Sequence, residues 1–70
     1  MSHIYKKIDV VGSSETSIEN AIEQALARAS ESVHHIEWFE IDEIRGHVVD
    51  GKKIGHYQVG LKLGFRFEEK

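Results

Sequence analysis

The chain has 70 residues and no cysteine, so it forms one small domain without disulfides or thiolate zinc sites, and contacts between subunits are the expected source of additional burial. Nine Lys and Arg against twelve Asp and Glu give a net charge of -3, which excludes a nucleic-acid binder held by phosphate neutralisation. No apolar run is long enough for a membrane span or a signal peptide, so we expect a cytoplasmic protein without membrane partners.

The first segment of the chain predicts a strand. Ile4, Ile8 and Val10 share one face of an extended chain, with Lys6 among them, and the segment reaches Gly12. We therefore predict that the first strand covers residues 4–11 and ends at that glycine.

A helix is predicted next. Thr16 and Glu19 have the spacing of a capping box, which predicts that the helix begins near residue 16. His34 and His35 would close the helix, where protonated imidazoles suit the negative end of the dipole, or they form a plain linker. Between these ends the apolar residues recur at helical spacing: Ile18, Ala21, Ile22, Ala25, Leu26, Ala29 and Val33.

A second strand follows, and its alternation of apolar residues shifts along its length. Phe39 and Ile41 occupy odd positions, whereas Ile44 and Val48 occupy even ones. Because alternate residues of a strand point to opposite faces, a β-bulge or a sharp bend around residues 42–43 would explain the shift.

The last segment predicts a hairpin and a third strand. Asp50-Gly51 is typical of a hairpin turn, and the lysines at 52–53 could lengthen its loop. Gly60 and Gly64 lie on the polar face of the third strand, where they would admit a flat group or another backbone, or relieve strain in a bent strand. The other face is apolar: Tyr57, Val59, Leu61, Leu63, Phe65 and Phe67.

These elements predict one α+β domain over residues 1–70, in the order β-α-β-β. The last two strands form an antiparallel hairpin, and the helix covers one face of a small sheet. The other face of such a sheet stays bare in a monomer.

Trp38 is the residue on which a function is most readily placed. It shares a face with Glu40 and Asp42, so a large indole lies in polar company. Trp38 either packs against a neighbouring subunit or a sheet edge, or provides a stacking platform for a flat ligand. If the hairpin brings Gln58 to the same face, its carboxamide offers one acceptor and two donors to the edge of a heteroaromatic ring.

Catalytic and metal-binding motifs are not found. The sequence holds no nucleophile and base pairing, no G-x-G-x-x-G, no P-loop and no H-E-x-x-H arrangement, so we do not predict an enzyme. His47 and His56 could face each other across the hairpin, but the spacing indicates no third ligand. We interpret them as surface histidines and predict no metal site.

Several blocks of sequence occur together at characteristic spacings along essentially the whole chain. They are Tyr5-Lys6-Lys7-Ile8, Val11-Gly12-Ser13-Ser14, Ala25-Leu26-Ala27-Arg28-Ala29, Trp38-Phe39-Glu40-Ile41 through Ile44-Arg45-Gly46, Tyr57-Gln58-Val59, and Gly64-Phe65-Arg66-Phe67-Glu68. In these blocks the chain resembles the dodecins, a family of small flavin-binding proteins.

The resemblance implies a three-stranded antiparallel sheet wrapped around one helix, and a hollow homododecamer. In dodecins two flavins lie on a two-fold axis between two tryptophans, and Trp38 matches that residue. Gln58 matches the glutamine that hydrogen-bonds the polar edge of the flavin. Arg45 matches an arginine close to the pocket in bacterial members, which favours FMN or riboflavin as the ligand.

The resemblance also implies a role. A flavin stacked on an indole is expected to lose its excited state by electron transfer, which suits storage and buffering of flavin without catalysis. Some bacterial members bind coenzyme A as well, and Lys6, Lys7 and Arg66 are candidates for contact with a ligand phosphate, or are solvated or in ion pairs between chains. The alternative function is a structural or regulatory oligomer in which Trp38 only anchors an interface and flavin is incidental.

Overall fold

The computed structural model describes residues 3–67, which form one sheet and one helix. The elements are β1 (Tyr5–Ser14), α1 (Ile18–Ala29), β2 (Ile36–Val49) and β3 (Lys53–Arg66). All strand pairs are antiparallel, and β3 lies in the middle of the sheet. The predicted order β-α-β-β is therefore confirmed. No helix within residues 3–67 is both long and apolar enough to cross a membrane.

The core lies between α1 and the two strands that it covers, β1 and β3. Ala21 and Ala25 form the buried stripe of the helix, and they pack against Val59, Leu61 and Leu63 of β3, which are fully buried. The small alanine side chains allow the helix to lie close to the sheet. Because this core is small, burial against other chains would add to its stability.

β1 continues past its predicted end at Gly12, so that prediction was wrong. Gly12 pairs with Val59, and pairing with β3 continues to Ser14. A Cβ at Gly12 would meet the carbonyl oxygen of Ala21 and would lie 3.0 Å from the Cβ of Ala25. The glycine is therefore required where the strand crosses closely under α1, and it does not end the strand.

The helix begins at Ile18, within two residues of the start predicted from Thr16, and its N-cap is Ser17. The hydroxyl of Ser17 accepts a hydrogen bond of 2.9 Å from the backbone N–H of Asn20, which satisfies a free donor of the first turn. Ser14 Oγ accepts from the N–H of Thr16 at 3.0 Å and donates to Asn20 Oδ1 at 2.7 Å. This local network holds Thr16 outside the helix.

The C-terminus of α1 also differs from its prediction. The helix ends at Ala29 with Ser30 as the C-cap, whereas the apolar spacing had extended it to Val33. Val33 still donates to the carbonyl of Ala29 at 2.9 Å, so an isolated turn keeps it on the apolar side. His35 has φ 65, a left-handed conformation outside any helix. The prediction that the two histidines at 34–35 close the helix was therefore wrong.

The irregularity predicted around residues 42–43 of β2 is confirmed by a register shift in its pairing with β3. The register passes from Ile41 opposite Leu61 to Glu43 opposite Gly60, and Asp42 is the extra residue. The bulge returns the following apolar residues to the face of α1. Two further register shifts, one between residues 36 and 38 and one at the hairpin end of β2, were not predicted.

The hairpin turn follows the sequence prediction. Asp50 and Gly51 have φ values of 57 and 69, which a glycine adopts freely and an aspartate tolerates. Lys52 donates its N–H to the carbonyl of Val49 at 3.2 Å, and Lys53 pairs with Val49. The loop is thus lengthened by one lysine and not by both.

The helix leaves the β2 side of the sheet uncovered. On the face that carries α1, apolar side chains of β2 and of the start of β3 are 44 to 67% exposed: Phe39, Ile41, Ile44, Val48 and Ile54. A groove of about 360 Å³ lies between Ile18 of the helix and this hairpin. An exposed apolar strip of this kind marks an interaction surface.

Candidate functional site

The candidate site residues lie on the outer face of the sheet, which is the face opposite α1. Trp38 is directly opposite Gly64 in the pairing of β2 with β3. A Cβ on Gly64 would fall within contact of three atoms of the indole ring, so the ring lies flat over the backbone of β3. Trp38 is 38% exposed. One side of the indole is therefore packed on glycine, and the other is accessible to a second ring.

Two further side chains frame the indole. Tyr5 contacts Trp38 edge to face, with ring centroids 6.5 Å apart and planes at 60°. Lys7 lies on the other side of Gly64, and its Nζ is 3.4 Å from Glu40 Oε1. The platform is thus aromatic in the middle and carries a balanced ion pair at its border.

A charged row crosses the middle of the outer face. Lys62 Nζ contacts Asp42 at 2.8 Å and Asp9 at 3.3 Å. The hydrogen bond that Lys62 donates to Asp42, and then the one that it donates to Asp9, raises the pKa of Lys62, because both carboxylates favour the charged ammonium. This row ties all three strands together and separates Trp38 from the other candidate residues.

Arg45 and Gln58 form the next part of the outer face. They are direct partners across β2 and β3, so the bulge at Asp42 places both on the same face as Trp38. Arg45 Nη2 contacts Glu43 at 3.0 Å, and its side chain is 60% exposed. The guanidinium therefore remains open to an additional acceptor.

The three predicted site residues share a face but do not form one contiguous pocket within a chain. Trp38 is opposite Gly64, and Arg45 is opposite Gln58. Six residues of extended strand separate these two points of β3, which is about 20 Å. That distance exceeds the reach of a single three-ring ligand. A site that uses both ends of the outer face must therefore take them from different subunits.

Sequence reasoning missed one contributor to the platform, Tyr5. It predicted that Gly64 would admit a flat group or another backbone, or relieve strain, but it did not show that the flat group is the indole of Trp38. The signal was available in principle, because a glycine opposite a tryptophan on the same face lets the indole lie across the backbone. Within residues 3–67, no three His, Asp or Glu side chains gather as ligands for one metal ion.

Gly64→Ala is expected to displace the indole of Trp38. The new Cβ would overlap the ring, so the indole must rotate away from β3 into solvent. We expect a red shift of tryptophan emission and loss of the near-UV circular dichroism of the indole. The matched control is Gly60→Ala, whose Cβ would lie 3.1 Å from Glu43 Cγ, a flexible side chain that can move. Equal spectra for the two variants would show that Gly64 does not seat the ring.

Comparison with known proteins places this geometry in a family. The family model described as Dodecin matches residues 4–68. A dodecin of Thermus thermophilus is 48% identical over 69 residues, which cover 99% of each chain.

Solved structures agree with the sequence comparison. The crystal structure of the tt0972 protein of Thermus thermophilus has a TM-score of 0.91 and 46% identity, and the match covers 99% of this chain and 100% of that one. A dodecin of Streptomyces davaonensis has a TM-score of 0.91 and 42% identity over the same shares of both chains. The chain is thus similar to these proteins over its whole length, and the described fold is theirs.

Proposed function

The chain belongs to the dodecin family, and from that premise we propose that it binds FMN or riboflavin by stacking the flavin ring on Trp38. The observation that carries the proposal is the indole lying flat over Gly64 with its outer side exposed. An exposed π-face on a rigid strand stacks well on a flat heteroaromatic ring. Tyr5, at the edge of the indole, holds the ring orientation.

The proposed site lies between two subunits on a two-fold axis. Trp38 and Gln58 are too far apart along the outer face to contact one flavin in one chain. A two-fold axis would present each residue twice and bring the Trp38 end of one subunit to the Gln58 end of another. Two flavins would then lie between two indoles, with the carboxamides hydrogen-bonding the carbonyl and imide edges of the rings.

Arg45 is proposed to contact the phosphate of FMN. It lies beside Gln58 and keeps more than half of its side chain exposed, and a guanidinium forms paired hydrogen bonds with phosphate. Lys7 and Arg66, which are the other cationic candidates, are also paired with carboxylates, as Arg45 is with Glu43, but their side chains are only 49 and 37% exposed. Binding of coenzyme A, for which these residues and the lysine at position 6 are candidates, stays a prediction.

The proposed assembly is a hollow homododecamer, which is consistent with the dodecins that the chain resembles. The apolar strip of β2 and the groove beside Ile18 are the surfaces that a second and third copy would cover. Burial of this strip would supply the stability that the small core lacks. The chain is thus a partner for itself.

The role that follows is storage and buffering of flavin, without catalytic turnover. An electron-rich indole in contact with the flavin offers a fast route for the excited state to decay, so bound flavin would be dark and photochemically quiet. The outer face supplies groups that hold a ring and its phosphate. The charged side chains of this face pair with each other, and none of these pairs is proposed as a catalytic group.

A flavin titration tests the proposal. Stepwise addition of protein to FMN is expected to quench flavin emission and to saturate near one flavin per chain, with size-exclusion chromatography fixing the oligomer. FMN is expected to bind more tightly than riboflavin, and Arg45→Ala is expected to remove most of that difference while riboflavin binding persists. Unchanged emission with an intact assembly would refute the storage function. An equal loss for both flavins would refute the phosphate contact.

A further inference from the structure

We propose that His47 and His56 form a binding site for a divalent transition-metal ion such as Zn²⁺, Ni²⁺ or Cu²⁺. These two residues are the pair next to Arg45 and Gln58 on the outer face, but neither is proposed to contact the flavin. Metal binding is therefore tested without flavin.

The two imidazoles are already brought together by the sheet. His47 and His56 are direct partners across β2 and β3. Their ring centroids are 4.2 Å apart, and the planes differ by 26°. Both side chains project from a paired ladder of backbone hydrogen bonds, so the backbone is already fixed and only side-chain torsions remain to be ordered when a ligand binds both.

The spacing of the rings suits chelation. Zinc to nitrogen bonds of about 2.0 to 2.1 Å at a tetrahedral angle place the two nitrogens about 3.4 Å apart. The ring centroids are 4.2 Å apart, which is close enough for one nitrogen of each ring to reach a shared ion. Because stacked rings direct their lone pairs side by side, both side chains must first turn until these nitrogens face a common point.

The ring nitrogens are also available. Neither the His47 ring nor the His56 ring makes a hydrogen bond or an ion pair with another side chain of the described range, and the two rings stack on each other. His47 is exposed and His56 is half-buried. Within a single chain, a metal ion would thus displace water and no protein contact.

The donor set decides which cations fit. Neutral imidazole suits zinc, copper and nickel, whereas calcium and magnesium require oxygen ligands. No third His, Asp or Glu joins the pair within residues 3–67, so water or a ligand completes the coordination sphere. Binding is expected to be weaker than at a closed structural site with four protein ligands.

Isothermal titration of the assembled protein with ZnCl₂ and NiCl₂, at a pH where imidazole is neutral, tests the site. We expect one ion bound per chain and at least a tenfold loss of affinity in both His47→Ala and His56→Ala. His34→Ala is the matched control and is expected to bind as the parent does. Ca²⁺ is expected to give no saturable heat. Circular dichroism and gel filtration establish that each variant is folded and assembled.

A second readout examines the ligands directly. Electron paramagnetic resonance of the Cu²⁺-loaded parent is expected to show two coordinated imidazole nitrogens, and each single variant is expected to lose that signature. Unchanged affinity in His47→Ala, a signature of one imidazole in the parent, or no saturable binding of any of the three metals would overturn the proposal.

Discussion

Trp38→Ala is expected to weaken FMN binding about a hundredfold while the assembly keeps its size. Stacking of an aromatic side chain on a heteroaromatic base contributes about 1 to 3 kcal/mol, and each 1.4 kcal/mol is a factor of about ten. The upper end applies here because the indole rests on Gly64 and is already oriented by Tyr5, so little ordering cost accompanies binding. Flavin fluorescence quenching measures the change.

Trp38→Phe is the matched control for that variant. A phenyl ring keeps a smaller π-face over the same glycine, so we expect an intermediate affinity and weaker quenching. Size-exclusion chromatography of all three proteins without flavin separates the two functions considered for the tryptophan. If Trp38→Ala elutes as a smaller species, the indole is an interface anchor, and flavin is incidental to a structural or regulatory oligomer.

The face of each candidate residue could be predicted from alternation only in part. Trp38 was placed opposite the apolar face from its neighbours at 39 and 41, and the structure agrees because no bulge lies between these residues. Arg45 lies beyond the bulge at Asp42, which reverses the relation between position and face. The alternation indicated that the facing of β2 residues shifts. Whether Arg45 lies opposite Gln58 depends on which residue of β2 is the extra one.

Distances along the sheet were harder to predict than faces. Trp38 and Gln58 are separated by a register that depends on two irregularities in β2 and on the length of the turn at Asp50-Gly51. An error of one residue in any of these would move every later pair. The sequence could therefore suggest that Trp38 and Gln58 share a face. It could not show that they are too far apart to contact one ligand within one chain.

The start of the helix was predicted within two residues, but its capping residue and its C-terminal end were not, because local hydrogen bonds competed with periodicity. Thr16 has the spacing of a capping box, but Ser14 binds its N–H and leaves Ser17 as the cap. Val33 keeps the apolar phase of the helix, although the helix itself ends at Ala29. At both ends the sequence pattern extends beyond the residues that have a helical backbone conformation.

Gly12→Ala is expected to destabilise the fold more than the same substitution at any other glycine of β1 or β3. The new Cβ would meet the carbonyl oxygen of Ala21 in the backbone of α1 and the Cβ of Ala25. The helix cannot rotate away, because the same stripe buries both alanines against β3. Overpacking of a well-packed site typically costs about 1 to 3 kcal/mol, and we expect the upper end because backbone must move.

Thermal unfolding at a fixed protein concentration measures this effect, since assembly contributes to the apparent stability. For a domain of this size each kcal/mol lowers the melting temperature by roughly 4 to 8 °C, so a fall of about 10 to 20 °C is expected. Ser13→Ala, at the neighbouring exposed position on the outer face, is the matched control and should melt within a few degrees of the parent. If Gly12→Ala also melts there, the helix has room to move away from β1, and the close crossing does not determine how α1 is seated. If it alone melts early, the close packing of β1 under α1 requires a residue without a side chain at position 12.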